Sequence, residues 1–191
     1  MPRGIQLTIV CEDILHEVFA RAFLYRRGFR RHDLRFEKAP SGKQDAKQCV
    51  RERFPTELAA LRRYGGAGRG LLCITDSDNL TPVERANTLH ECCARQNVAP
   101  PAATELVFIF TPKWEIENWL AWLRDGACDE TSNAYDKYRN READIYPLVE
   151  HLADMCMAKA LNPQPAPPSL LAACSVFAGF QTWVEDSNGG A

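Results

Sequence analysis

Two short apolar runs rich in β-branched residues, Gln6 to Cys11 and Leu71 to Thr75, each stop abruptly on carboxylates, Glu12-Asp13 and Asp76-Ser77-Asp78. A strand that is apolar throughout rather than alternating has both faces covered, which is the situation of a parallel sheet between helices. Amphipathic segments follow each run. Ile14, Leu15, Val18, Phe19, Ala22 and Phe23 recur at helical spacing until Gly28, and Thr81-Pro82 with Glu84 has the form of an N-cap, a first-turn proline and a capping-box acid.

The rest of the chain repeats the alternation. Asp33 to Lys38 reads as a second strand, and Gln44 to Tyr64 as a long helix kinked or split at Pro55. Glu105 to Phe110 reads as a fourth strand, followed by a helix over Glu115 to Leu123. Asp125 to Asn140 is a polar excursion, Asp144 to Leu161 an amphipathic helix, and Ser169 to Val184 a last helix after a proline-rich stretch. The expectation is a three-layer α/β domain with a mostly parallel four-stranded sheet over residues 1–125, and a helical extension, residues 126–191, packed on it. At 191 residues the chain has room for one good core rather than two. No apolar run approaches the roughly 20 residues of a membrane helix, and the eight cysteines lack paired CxxC spacing, so a cytoplasmic protein with reduced thiols is expected.

Ligands of parallel sheets collect at the carboxyl ends of the strands, where Glu12 and the Asp76/Asp78 pair fall. Hard divalent cations prefer carboxylate oxygens, so Glu12, Asp76 and Asp78 are the candidate ligands of Mg2+ or Mn2+. In an extended segment Asp76 and Asp78 would point the same way. Such a cation supports phosphodiester hydrolysis. Glu117, at the start of a helix, is a candidate to ligate a second metal or orient a water, and Lys113 to contact a scissile phosphate. Glu115 is expected to point elsewhere than Glu117. The net charge of −2 does not mark a nucleic-acid binder, so phosphate contacts are assigned locally, to Arg26, Arg27, Arg30, Arg31 and Lys43. Each of these features also has a plainer reading: aspartates after a strand cap helices, arginine runs are solvated faces, and His16, His32, His90 and His151 pack or sit on the surface.

Four ordered segments resemble a Toprim domain, the fold of type IA topoisomerases, primases and OLD-family nucleases. Val10-Cys11-Glu12-Asp13-Ile14-Leu15-His16-Glu17-Val18-Phe19 is similar to the opening of small stand-alone Toprim-like proteins of bacterial defence loci, with Asp13 in place of their glycine. Ser41-Gly42-Lys43 resembles their Gly-Lys element. Leu72 to Asn79 resembles the strand bearing DxD, and Pro112 to Leu120 the segment containing Ile-Glu-x-Trp-Leu. The resemblance implies a metal-dependent nuclease on RNA or DNA, an antiphage or toxin effector with a partner ATPase of the ABC/AAA type, and a homodimer as one possible assembly. The competing expectation is a non-catalytic module, either a degenerate Toprim scaffold or a receiver-like domain with Glu12, Asp13, Asp76 and Lys113 in the phosphoacceptor roles.

Overall fold

The computed structural model describes residues 6–39, 45–65, 68–161 and 164–176. Strands β1 (Gln6–Cys11), β2 (Leu34–Lys38), β3 (Arg69–Ile74) and β4 (Val107–Phe110) form one sheet in the order β2-β1-β3-β4. Every pairing is parallel. The helices are α1 (Ile14–Arg26), α2 (Ala46–Tyr64), α3 (Pro82–Arg95), α4 (Ile116–Asp125) and α5 (Tyr146–Met157), with a further helical segment at 168–176. None of them is long and apolar enough to cross a membrane.

Strand alternation divides the core in two. Leu7, Ile9, Leu72, Ile74, Phe108 and Phe110 point to one face and pack with α1, α4, α5 and the 168–176 segment. Val10, Leu71 and Cys73 point to the other and pack with Val50, Phe54 and Leu58 of α2 and Leu89 and Cys93 of α3. Because both faces are covered, the strands carry apolar residues at successive positions. Val149 and Leu152 of α5, with Leu170 and Ala173, belong to the same cluster as the strands, so α5 and the 168–176 segment share the core of the sheet.

Local chemistry sets the helix boundaries. Asp13 caps α1 by accepting from the backbone N–H groups of Leu15 and His16 (2.9 and 3.0 Å). Gly28, at φ +89°, provides the left-handed turn that ends it. The capping box of α3 forms as the sequence suggests: the Glu84 N–H donates to Thr81 Oγ1 at 3.2 Å, and the Thr81 N–H to Glu84 Oε2 at 2.7 Å. Pro55 does not split α2, which runs unbroken from Ala46 to Tyr64 with Pro55 buried inside it. Packing on β1 and β3 outweighs the missing backbone donor, and Thr56 and Gln96 side chains add hydrogen bonds to the Glu52 carbonyl (3.1 and 3.2 Å).

The topology itself marks a place for ligands. From β1 the chain crosses to β2 on one side, whereas from β3 it continues to β4 on the other, with the two connecting helices on opposite faces. Where neighbouring strands send their connections apart, a crevice opens outside their carboxyl ends. That point lies between β1 and β3, where Cys11 is paired with Ile74.

Candidate functional site

Glu12 and Asp76 leave the sheet side by side at this crevice. Glu12 is buried, and its Oε1 accepts from the Asp76 backbone N–H at 2.9 Å and from the Thr75 hydroxyl. The acid at the end of β1 therefore grips the exit of β3. Burial pushes the Glu12 carboxyl above its ordinary range and the charge of Asp76 adds to this, against the lowering influence of His16, Thr75 and Lys47.

Between the two acidic segments stands His16, a residue for which sequence reading expects only packing or a surface role. It is 1% exposed. Its Nδ1 lies 2.9 Å from Asp13 Oδ1 and its Nε2 3.0 Å from Asp76 Oδ1. Both ring nitrogens face carboxylate oxygens, and only the doubly protonated ring can donate to both. Burial opposes the cation, but the charge of Asp76 and the hydrogen bonds from Asp13 and Asp76 outweigh it, so the imidazole is driven well above its usual value. Burial likewise opposes the Asp13 anion, yet the hydrogen bonds and charge of His16 pull that carboxyl down to about 2.

Glu117, in the first turn of α4, completes the acidic group. Burial raises its carboxyl, and the charges of Asp76 and Asp13 raise it further. Asp13, Asp76, Glu115 and Glu117, with Lys137 and Arg139, line a cleft of about 300 Å³. Glu115 thus faces the same cleft as Glu117, contrary to expectation. It is the N-cap, with extended backbone (φ −141°, ψ 159°), so the rule for residues two apart on a helix does not apply to it. Lys137 joins the pair, hydrogen-bonding Glu115 and standing 3.5 Å from Glu117.

Asp78 behaves differently from the expected DxD ligand. The chain turns at Asp78 itself, which takes φ +52°: its N–H donates to the Trp114 carbonyl at 3.0 Å, and the two residues form an isolated antiparallel bridge. Its carboxylate meets the Lys47 ammonium through Oδ1 and Arg85 through Oδ2 (2.8 Å). Lys113 is also engaged in this loop. Its ammonium donates to the carbonyls of Asp78 and Leu80 (3.1 and 2.8 Å) and lies 5.0 Å from the Trp114 ring centroid, so it fastens a turn rather than reaching for a phosphate.

Among the described residues, no three His, Cys, Asp or Glu side chains are grouped so as to hold a metal ion. The donor chemistry of Glu12, Asp76 and Glu117 nonetheless suits a hard divalent cation. All are carboxylates, and the charge of Asp76 raises both Glu12 and Glu117, although burial is the larger cause in each and His16 lowers both.

The arginines assigned to phosphate lie elsewhere. Arg26 ends α1 and Asp13 begins it, and a helix of 13 residues is about 20 Å long. Arg26 is spent on Asp154 of α5 (2.7 Å at two atoms), and Arg30 pairs with Asp33 at 3.4 Å. Arg27 is half-buried and Arg31 exposed at the same far end. Lys43 lies outside the described residues. The cations that do border the acids are Lys47, Arg85, Lys137 and Arg139. Arg139→Ala is therefore expected to weaken oligonucleotide binding and reduce the salt slope by about 1, as loss of one phosphate contact does. Arg26→Ala should leave both unchanged, as read by fluorescence-anisotropy titration at several salt concentrations.

Neither a protein-family model, a curated protein nor a solved structure matches this chain.

Proposed function

We propose that this chain is a metal-dependent phosphodiesterase of the Toprim type, using Mg2+ or Mn2+ to cleave RNA or DNA at the crevice between β1 and β3. The observation that carries the reading is the meeting of Glu12 and Asp76, 64 residues apart in the chain, through a 2.9 Å hydrogen bond at the strand ends. Glu117 lies within the same electrostatic field. Glu12, Asp76 and Glu117 are the residues that would hold the metal. When bound, a divalent ion stabilises charge developing on the phosphoryl oxygens and lowers the pKa of a coordinated water.

The protein's own groups supply the rest. His16, clamped between Asp13 and Asp76, fixes the rotamer of Asp76 and offsets part of the acidic charge. Thr75 and the Asp76 N–H hold the Glu12 carboxylate in place. Lys137 and Arg139 at the cleft give a polyanion a positive approach. Asp78 enters as the anchor of Lys47 and Arg85. The wider setting, an antiphage or toxin effector with a partner ATPase, rests on the motif resemblance alone. The receiver-like alternative draws no support from Lys113, whose ammonium sits on carbonyls and not on Asp76.

The test is cleavage of labelled RNA and DNA oligonucleotides by the full chain with Mg2+ or Mn2+, with and without chelator. The expected result is metal-dependent cleavage that Glu12→Gln removes while circular dichroism stays that of the wild type. Metal-independent turnover, or full activity in Glu12→Gln, would remove the proposal.

A further inference from the structure

Away from the acidic crevice, α5 and the 168–176 segment bring two thiols together. Cys156 Sγ and Cys174 Sγ are 2.8 Å apart, 18 residues separated in the chain, and both are free and half-buried. Cys11, Cys49, Cys73, Cys92 and Cys93 are buried, and burial pushes the Cys11 thiol up to about 12 and the Cys73 thiol well above its usual value. Such thiols are inert. The pair, by contrast, borders an open cleft of about 310 Å³, lined by Met155, Lys159, Gln164 and Leu171 as well as the two cysteines, which a small oxidant can enter.

We infer that Cys156 and Cys174 are a thiol–disulfide pair, oxidised by a hydroperoxide, whose closure staples the 168–176 segment to α5. Either sulfur can donate in this contact, so either can serve as the attacking thiolate. The attacking sulfur bonds to the terminal oxygen of the hydroperoxide, the O–O bond breaks, and the departing alkoxide, or hydroxide for hydrogen peroxide, takes a proton and leaves as alcohol or water. The second sulfur then displaces the resulting sulfenic oxygen, losing its proton as the S–O bond breaks and water leaves. Two thiols give up two electrons, and the peroxide accepts them.

The staple has a structural consequence at the other end of the segment. Ser169 Oγ accepts from the Lys113 N–H at 3.2 Å and from Trp119 Nε1 at 2.7 Å, and it contacts Glu130. These contacts tie the segment to the loop between β4 and α4 through Lys113, to α4 through Trp119 and to the chain beyond α4 through Glu130. Closing the disulfide thus restrains an element that buttresses the Lys113 to Glu117 side of the crevice.

The test uses the full chain, reduced and then exposed without denaturant to a small excess of hydrogen peroxide. Intact mass is expected to fall by two hydrogens, and a non-reduced peptide map to join Cys156 to Cys174. The melting temperature should rise by about 6–12 °C, as closing a loop of this length in a chain of this size implies, and return with dithiothreitol. Cys156→Ser and Cys174→Ser should each lose the mass change and the shift. Oxygen addition without cross-linking, a cross-link to any other cysteine, or an oxidised wild type that melts with the reduced one overturns the inference. The wild-type map decides the matter even if a serine variant fails to fold.

Discussion

Asp76→Asn is expected to lower metal-dependent cleavage by about 10³-fold, since losing several kcal/mol of metal-borne transition-state stabilisation at 1.36 kcal/mol per tenfold gives a factor of that order. The amide keeps the shape of the side chain, and its oxygen can still accept from His16 Nε2, which now stands 3.0 Å from Asp76 Oδ1. The backbone N–H that Glu12 grips is untouched. What disappears is the charge, the largest influence raising the His16 imidazole and the property on which cation binding depends. Melting temperature should fall only in part, since the buried His16 ring loses Asp76 but keeps Asp13 as a counter-ion, while turnover collapses. Asp78→Asn should do the reverse, because Asp78 is the anion facing Arg85, whose side chain is 4% exposed, and Lys47. Removing that charge leaves a buried guanidinium without its counter-ion, a stability defect before it is a chemical one. Initial rates per folded molecule together with calorimetry separate the two. Equal loss of turnover in both variants at unchanged stability would restore Asp78 as a ligand and undo the division drawn between them.

The parts of this arrangement that show in the sequence are those fixed by short-range pattern. An apolar run that ends on an acid gives both a strand and the place where its carboxylate emerges, so Glu12 and Asp76 are readable without coordinates. The box of Thr81, Pro82 and Glu84 is readable for the same reason, since its partners are three residues apart. His16 is not. Whether a first-turn histidine meets solvent or Asp76 depends on how α1 lies against the sheet, a tertiary fact; its spacing of three from Asp13 is the only local hint. The turn at Asp78 is equally hidden, because its left-handed backbone is fixed by pairing with Trp114, 36 residues later. Lys47 and Lys137 come from segments that carry no motif. The arginine cluster misleads for a reason the sequence does contain: a helix of 13 residues places its two ends too far apart to share one phosphate site.

Trp119→Ala is expected to destabilise the fold by about 3–5 kcal/mol, the range for deleting a buried aromatic side chain. Trp119 is fully buried, with its ring centroid 5.9 Å from that of Phe19 on α1, and its Nε1 donates to Ser169 Oγ at 2.7 Å. It therefore ties α4 to α1 and to the 168–176 segment at once, and no single neighbour can move in to fill the space. Against a total stability of about 5–15 kcal/mol the loss is a large fraction. In a chain of this size it corresponds to a fall in melting temperature of roughly 6–20 °C. Trp119→Phe separates the packing from the hydrogen bond: it retains most of the ring, and Ser169 keeps its contacts with Lys113 and Glu130. That variant should lose only about 1–2 kcal/mol, a hydrogen bond plus a small void. Because α4 also carries Glu117, Trp119→Ala should weaken turnover even below its own melting transition, through misplacement of that carboxylate. A Trp119→Ala protein that melts with the wild type would show that the first core cluster is not the structure's main support, and that the acids at the crevice are held in place by something other than the packing beneath them.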